Sequence, residues 1–180
     1  MKKKFGLILS LVIVIVACTA GYYWFISNSH DKYYQSYQMQ LNSTNKSMEL
    51  CESALGTIML SMMEQNNNLT TNITTYLDGA NNSATAATNY SADMLKYSNT
   101  DSEKAYAETL IKQSKEIERF IQLSYNLSAS TKNTEKFKDI LNQMNTIKTQ
   151  EQSYQDDLNK IRNQYPDFKN HLQEIEKSMH

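Results

Sequence analysis

Four segments of the chain repeat apolar residues at alternating spacings of three and four, with short polar stretches between the segments. This spacing places the apolar side chains on one stripe of an α-helix, as in helices that pack together in bundles. The pattern predicts four amphipathic helices of roughly 25–35 residues each.

The four predicted stripes differ in composition and regularity. The first contains Tyr34, Tyr37, Leu41, Thr44, Met48, Cys51, Leu55, Ile58 and Met62. The second contains Leu69, Ile73, Tyr76, Ala80, Ser83, Ala87, Tyr90, Met94 and Tyr97. The third contains Tyr106, Leu110, Gln113, Ile117, Phe120 and Leu127. The fourth is the most regular, with Ile140, Met144, Ile147, Glu151, Tyr154, Leu158, Ile161, Tyr165, Phe168, Leu172, Ile175 and Met179.

Polar residues mark the ends of these helices. The run QNNN at 65–68 separates the first stripe from the second. Thr100 or Asp101 is predicted to cap the third helix, and Asn133 or Thr134 the fourth, since such side chains accept hydrogen bonds from free backbone N–H groups. The fourth stripe keeps its register past Pro166, which predicts a kink or a restarted helix there.

Short turns between amphipathic helices favour antiparallel hairpins within one chain. The predicted fold is all-α, with an antiparallel up-down bundle of about four long helices with coiled-coil-like heptads over residues 29–180. In the alternative interpretation, each stripe packs against another chain in a coiled coil. The chain has only four glycines and one proline, which agrees with long helices and few loops.

Residues 77–92 form the weakest helical stretch, because Gly79 and two asparagines lower helix propensity and the predicted core positions carry small side chains. A close approach of two helices, a local break and a shallow cavity all fit this composition. Close approach is the favoured interpretation.

The first 28 residues predict a membrane anchor. Lys2, Lys3 and Lys4 precede an uncharged segment over residues 5–26, which as a helix is roughly 33 Å long and spans a bilayer core. The lysines favour a cytoplasmic N-terminus, so the bundle is expected on the extracytoplasmic side of a single-pass membrane protein. Tyr22, Tyr23 and Trp24 fall where an aromatic belt contacts the outer interface.

A lipid anchor is the alternative to this signal-anchor helix. Ile15-Val16-Ala17-Cys18 resembles the lipobox of bacterial lipoproteins, which implies cleavage before Cys18 and acylation of that cysteine. The eight residues after Cys18 remain apolar, whereas lipoproteins usually continue with a polar spacer. The uncleaved helix is therefore favoured, and both interpretations place the bundle outside the cytoplasm.

Charge and motifs argue against several classes of function. The 18 basic and 19 acidic residues provide no global field for nucleic acid. Cys18 and Cys51 lack the spacing of zinc or redox motifs, and no disulfide is expected between them. His30, His171 and His180 are isolated in the sequence and are expected to be lone surface groups. No catalytic, metal-binding or cofactor motif occurs, so we expect a protein that is not an enzyme and has no cofactor.

The sequence therefore predicts a non-catalytic envelope protein that acts through protein–protein interaction, with a second envelope protein or a further copy of itself as partner. The first alternative is ligand sensing, because one membrane helix leading into a four-helix ectodomain resembles the outer half of a bacterial chemoreceptor or sensor kinase. The chain ends at His180 without a second span or an output domain, so such a sensor would signal through a partner. A surface stalk or adhesive coiled coil is the remote alternative.

Overall fold

The computed structural model describes residues 2–64, 70–131 and 133–179, with side chains described for residues 26–63, 71–131 and 133–179. Five α-helices account for nearly all of these residues: α1 Lys2–Glu64, α2 Thr70–Tyr97, α3 Asp101–Ala129, α4 Thr134–Gln164 and α5 Pro166–Ser178. The described residues contain no strand, which confirms the all-α class. The fifth helix results from a break at Pro166.

Contacts between the helices show that neighbours run in alternating directions. In α1 and α2, Ser47 bonds to Ala80, while Ile58 near the end of α1 shares a cluster with Ile73 near the start of α2. α3 runs in the same direction as α1, since the Tyr33 hydroxyl donates to the Glu103 carbonyl and Cys51 contacts Ser124. α4 returns along α3, with its first turns packed against the end of α3.

The N-termini of α3 and α4 have the predicted caps. The Thr100 hydroxyl accepts a hydrogen bond from the Glu103 N–H at 3.2 Å, while the Glu103 carboxylate accepts from the Thr100 N–H at 3.1 Å. This reciprocal capping box satisfies donors that the first helical turn leaves free. At α4, the Asn133 side chain accepts from the Lys136 N–H at 3.1 Å. Thr100 and Asn133 are therefore the N-cap residues of α3 and α4.

Pro166 restarts the helix and does not merely kink it. Tyr165 is the C-cap of α4, and Pro166 is the first residue of α5, where its missing N–H costs no hydrogen bond. The prediction that Tyr165 lies in the core was wrong, because its side chain is exposed beside the break. Phe168 and Leu172 are buried as predicted, so the apolar stripe resumes on α5.

The buried stripe of α1 is rotated relative to the prediction. Tyr37, Cys51 and Ile58 are buried as expected, but the intervening core positions lie one residue earlier than predicted. The predicted members Leu41 and Leu55 are half-buried, and Met48 and Met62 are exposed. Gln40, Ser47 and Ala54 occupy the core in place of Leu41, Met48 and Leu55, and Tyr33 is buried beside Tyr34, which is buried as predicted. The assignment of Met48 and Met62 to the core was wrong.

α2 is rotated in a similar way, because it lies close to α1. Its buried residues are Ile73, Leu77, Ala80, Ala84, Ala87, Ser91 and Met94, whereas the predicted Tyr76, Ser83, Tyr90 and Tyr97 are half-buried. The Ser47 hydroxyl of α1 donates to the backbone carbonyl of Ala80 at 2.9 Å. Because a serine side chain is short, this bond requires the two helix backbones to lie close together. The favoured interpretation of residues 77–92, close helix approach, is confirmed.

The third and fourth stripes follow the prediction more closely. Tyr106, Leu110, Gln113, Ile117 and Leu127 of α3 are buried, and Phe120 is half-buried. On α4, Ile140, Met144, Ile147 and Leu158 are buried. α3 also buries Ile121 and Ser124, because it packs against α2, α4 and part of α1.

The predicted anchor lies mostly outside the part of the chain whose side chains are described. α1 continues without a break through residue 28, the predicted boundary between the anchor and the bundle. Among the residues whose side chains are described, which begin at residue 26, no helix has the length and apolar character needed to cross a membrane.

Candidate functional site

α1 carries a second apolar stripe beside the one that is buried. Leu41, Met48 and Leu55 recur every seven residues, so they lie along one line of the helix. Leu41 and Leu55 are half-buried, and 44% of Met48 is exposed. The bundle therefore covers one side of the apolar surface of α1 and leaves the adjacent side open.

The open side faces a groove between α1 and α4, with α3 as its floor. α1 packs on α2 and α3, and α4 packs on α3 and α5, but in the described residues α1 and α4 do not pack closely on one another. Three cavities of about 280, 350 and 420 Å³ lie along this gap. Lys148 of α4 lines all three, so the cavities are neighbours along one groove.

The 280 Å³ cavity at the centre of the groove is mainly apolar. Its walls include Met48 and Leu55 from α1 and Ile117 and Phe120 from α3. Cys51, a free cysteine, also lines it, with its sulfur 3.6 Å from the Ser124 hydroxyl. Burial raises the pKa of the Cys51 thiol. Because the thiolate is the nucleophilic form, this thiol is a structural group with low reactivity at neutral pH.

Charged side chains border the same cavity. Glu52 approaches from α1, and Lys148 and Glu151 from α4. Burial, together with the nearby Glu116 carboxylate of α3, raises the pKa of Glu151. Oε2 of Glu116 is itself buried without a hydrogen-bond partner. An apolar groove with acidic groups at its centre can accept an apolar surface that carries a positive charge.

The 420 Å³ end of the groove is apolar. Ile58 and Met59 of α1 face Leu141 and Met144 of α4 there, with Phe120 and Leu127 of α3 between them. Leu141 is 40% exposed and Met59 is 65% exposed. Exposed large apolar residues on both walls are typical of a surface that binds another molecule.

A hydrogen-bonded cluster around Arg162 closes the opposite end of the groove. Nη2 of Arg162 lies 2.6 Å from Oε1 of Glu176 and 2.7 Å from the Tyr37 hydroxyl. The Tyr37 hydroxyl donates to the same Glu176 oxygen at 2.5 Å, and Nε of Arg162 donates to the Tyr106 hydroxyl at 2.9 Å. These bonds connect α1, α3, α4 and α5, so α5 holds α4 against the rest of the bundle at this end.

Two histidines that are isolated in the sequence lie together in the structure. The ring centroids of His30 and His171 are 5.2 Å apart, and both rings contact Tyr34. The prediction that these two histidines are lone surface groups was wrong, because α5 folds back onto the start of the bundle. A cavity of about 520 Å³ opens beside them. His180 lies outside the described residues.

The site residues predicted from the sequence lie outside the residues whose side chains are described. They are Cys18, the predicted lipidation point, and the interface anchors Lys2, Lys3, Lys4, Tyr22, Tyr23 and Trp24. They stay predictions. In the described part of the chain, no group of three or more histidine, cysteine, aspartate or glutamate side chains can hold a metal ion.

Comparison with known proteins gives no match to a family model, to a curated protein or to a solved structure. The class of protein is thus defined by its own features: an all-helical chain with an open apolar groove along its first and fourth helices.

Proposed function

We propose that this protein is a non-catalytic, membrane-anchored helical bundle that binds an amphipathic helix of another envelope protein in the groove between α1 and α4. The observation that carries the proposal is the partly exposed stripe of Leu41, Met48 and Leu55 on α1. A stripe with heptad spacing is complementary to a second helix with the same spacing.

The opposing wall supports a helix as the occupant. α1 and α4 present apolar side chains from two sides, and α3 forms a floor, as in grooves that accept the apolar face of an amphipathic helix. Several of the exposed apolar residues are methionines, including Met48 and Met59. Methionine is flexible and polarisable, so it adapts to the side chains of a bound partner.

A recognition role requires the bundle to be held in place. We propose that residues 5–26 form a single membrane-spanning helix with a cytoplasmic N-terminus, which leaves the groove on the extracytoplasmic side. In the alternative, an acyl chain on Cys18 anchors the protein to the same side of the membrane. The partner is then expected to be exposed at the same face of the membrane.

Site-specific photo-crosslinking in intact cells tests the proposal. A photoreactive amino acid at Met48 or Leu55 is expected to give one discrete crosslinked product with another envelope protein. The matched control position is Thr85, an exposed residue of α2 that lines none of the three groove cavities. Equal crosslinking from Met48 and Thr85, or none from either groove position, would contradict helix binding in the groove.

Ligand sensing is the second candidate function. The observation that favours it is the central cavity of about 280 Å³, which is close to the lower limit for small-molecule sites. A sensor would bind an apolar small molecule between Met48 and Phe120 and transmit the change through a partner. Native mass spectrometry of the protein extracted from its membrane distinguishes ligand sensing from helix binding, because a bound small ligand adds a defined low mass.

A further inference from the structure

At the centre of the groove, charged side chains from both α1 and α4 lie beside the apolar floor formed by α3. Glu52 of α1 and Glu151 of α4 line the same cavity of about 280 Å³. Lys148 lies beside Glu151 on α4, and it extends along all three cavities. Any helix that lies in the groove must therefore pass these two carboxylates.

The protein's own cations leave this acidic centre incompletely neutralised. Among the described side chains, Lys148 forms no ion pair within 4.0 Å. Glu116, behind Glu151 on α3, approaches only Arg119, at 3.6 Å, and that arginine is 55% exposed. The Glu116 Oε2 atom still lacks a hydrogen-bond partner. Glu151 itself is half-buried and has no ion pair within 4.0 Å among the described side chains, so it carries a desolvation cost that an added cation in the groove would reduce.

On the basis of the proposed function, we infer that the bound helix carries a lysine or arginine at its centre, opposite Glu52 and Glu151. On either side of this cation, the helix carries apolar residues spaced three and four apart. The ammonium or guanidinium group would donate hydrogen bonds to carboxylates that the fold leaves unpaired. The apolar residues on one side would fill the 420 Å³ end of the groove around Leu141 and Met144.

The length of the groove sets the length of the partner segment. The α1 residues that line the three cavities run from Gln40 to Met59, which corresponds to roughly 29 Å of helix. A partner helix of about 21 residues matches this length. The Arg162 cluster closes the groove at one end, so a continuous helix is expected to lie with its centre near Lys148.

Two synthetic peptides of about 21 residues test the inference. Both carry leucine or methionine at alternating spacings of three and four, and they differ only in a central lysine or glutamate. Their affinities for the full chain in detergent micelles are measured by fluorescence anisotropy at low salt. We expect the lysine peptide to bind about tenfold more tightly than the glutamate peptide.

Two variants locate the origin of this preference. Glu151→Gln is expected to reduce the difference between the peptides to less than about threefold while both still bind. Glu108→Gln makes the same change in net charge on the exposed face of α3, away from the groove cavities, and is expected to keep the preference.

The outcomes separate this inference from the proposed function. Equal binding of both peptides, or tighter binding of the glutamate peptide, overturns the central cation and leaves helix binding in place. Failure of both peptides to bind overturns helix docking itself. If the chain forms dimers that Met48→Lys converts to monomers, the occupant is a second copy, and the assignment to another protein is overturned.

Discussion

The guanidinium of Arg162 and the carboxylate of Glu176 lie 2.6 Å apart across the break between α4 and α5. Both side chains are mostly buried, and both bond to the hydroxyl of Tyr37 on α1. This arrangement joins the last helix of the chain to the first and fixes the closed end of the groove. It has no counterpart in the heptad pattern, because Arg162 and Glu176 both lie outside the predicted apolar stripe.

Replacing Arg162 with methionine is expected to destabilise the protein by about 2–3 kcal/mol, because it removes charge-assisted bonds to buried hydroxyls and leaves Glu176 without its cation. Urea unfolding of the full chain measures the change. Arg119→Met is the control, since Arg119 is 55% exposed and lies 3.6 Å from its partner. It is expected to cost less than about 0.5 kcal/mol. Equal losses in both variants would contradict the role assigned to the Arg162 cluster.

The two apolar stripes of α1 are expected to respond differently to substitution. Ile58→Ala removes a side chain that is 1% exposed and should cost about 2–5 kcal/mol, through lost burial and the cavity that remains. Met48→Lys is expected to change stability by about 0.5 kcal/mol or less, because the lysine can extend its ammonium out of the open groove. Thermal or urea unfolding of both variants measures the difference. A large loss in Met48→Lys would mean that the groove is closed.

Alanine substitutions at Gly56 of α1 and Gly79 of α2 compare an open helix surface with a close-packed one. A Cβ at Gly56 would meet no atom within 4 Å, so Gly56→Ala should stabilise α1 by about 0.5–1 kcal/mol through helix propensity. A Cβ at Gly79 would lie 3.0 Å from the Leu50 side chain. Gly79→Ala is therefore expected to gain less than Gly56→Ala, since Leu50 must move. An equal gain at both sites would argue against close approach at residue 79.

Stability is expected to fall steeply above about pH 10. Burial raises the pKa of the Tyr33, Tyr37 and Tyr106 hydroxyls well above the ordinary value of 10.0. The unfolded chain loses these protons first, so the stability they contribute is fully present below pH 10 and is lost as the pH rises. Each tyrosine contributes a slope of about 1.4 kcal/mol per pH unit.

Urea unfolding between pH 8 and 11 measures this dependence. Tyr33→Phe keeps the ring and removes the hydrogen bond from the hydroxyl to the Glu103 carbonyl. It should reduce the change of unfolding free energy with pH by the contribution of one proton. An unfolding free energy that does not change between pH 8 and 11 would show that these hydroxyls are not buried in the folded chain.

Intact mass spectrometry of the membrane-extracted protein tests the anchor. We expect an unprocessed chain that begins near Met1 and carries no lipid, because the 22 residues over 5–26 are long enough to span the bilayer. Cys18→Ala should then change the mass only by the substitution and leave the protein in the membrane. A mature form that starts at acylated Cys18 would instead assign the protein to the lipoproteins.

The sequence by itself determined where α3 and α4 begin. Spacing of three and four is a local property of one helix, and caps such as Thr100 and Asn133 act on the N–H groups of their own first turn. The fourth stripe was also largely correct, because on α4 the large apolar residues are the ones that pack on α3.

Only the tertiary structure decided which side of each helix is buried. On α1, large residues such as Met48 face the open groove, while Ser47 and Ala54 lie in the core. Hydrophobic patterning ranks Met above Ser, but close approach to α2 requires small side chains, and the Ser47 hydroxyl finds a partner in the Ala80 carbonyl. The groove results from the distance between α1 and α4. That distance depends on packing across four helices, which the spacing within any one helix cannot specify.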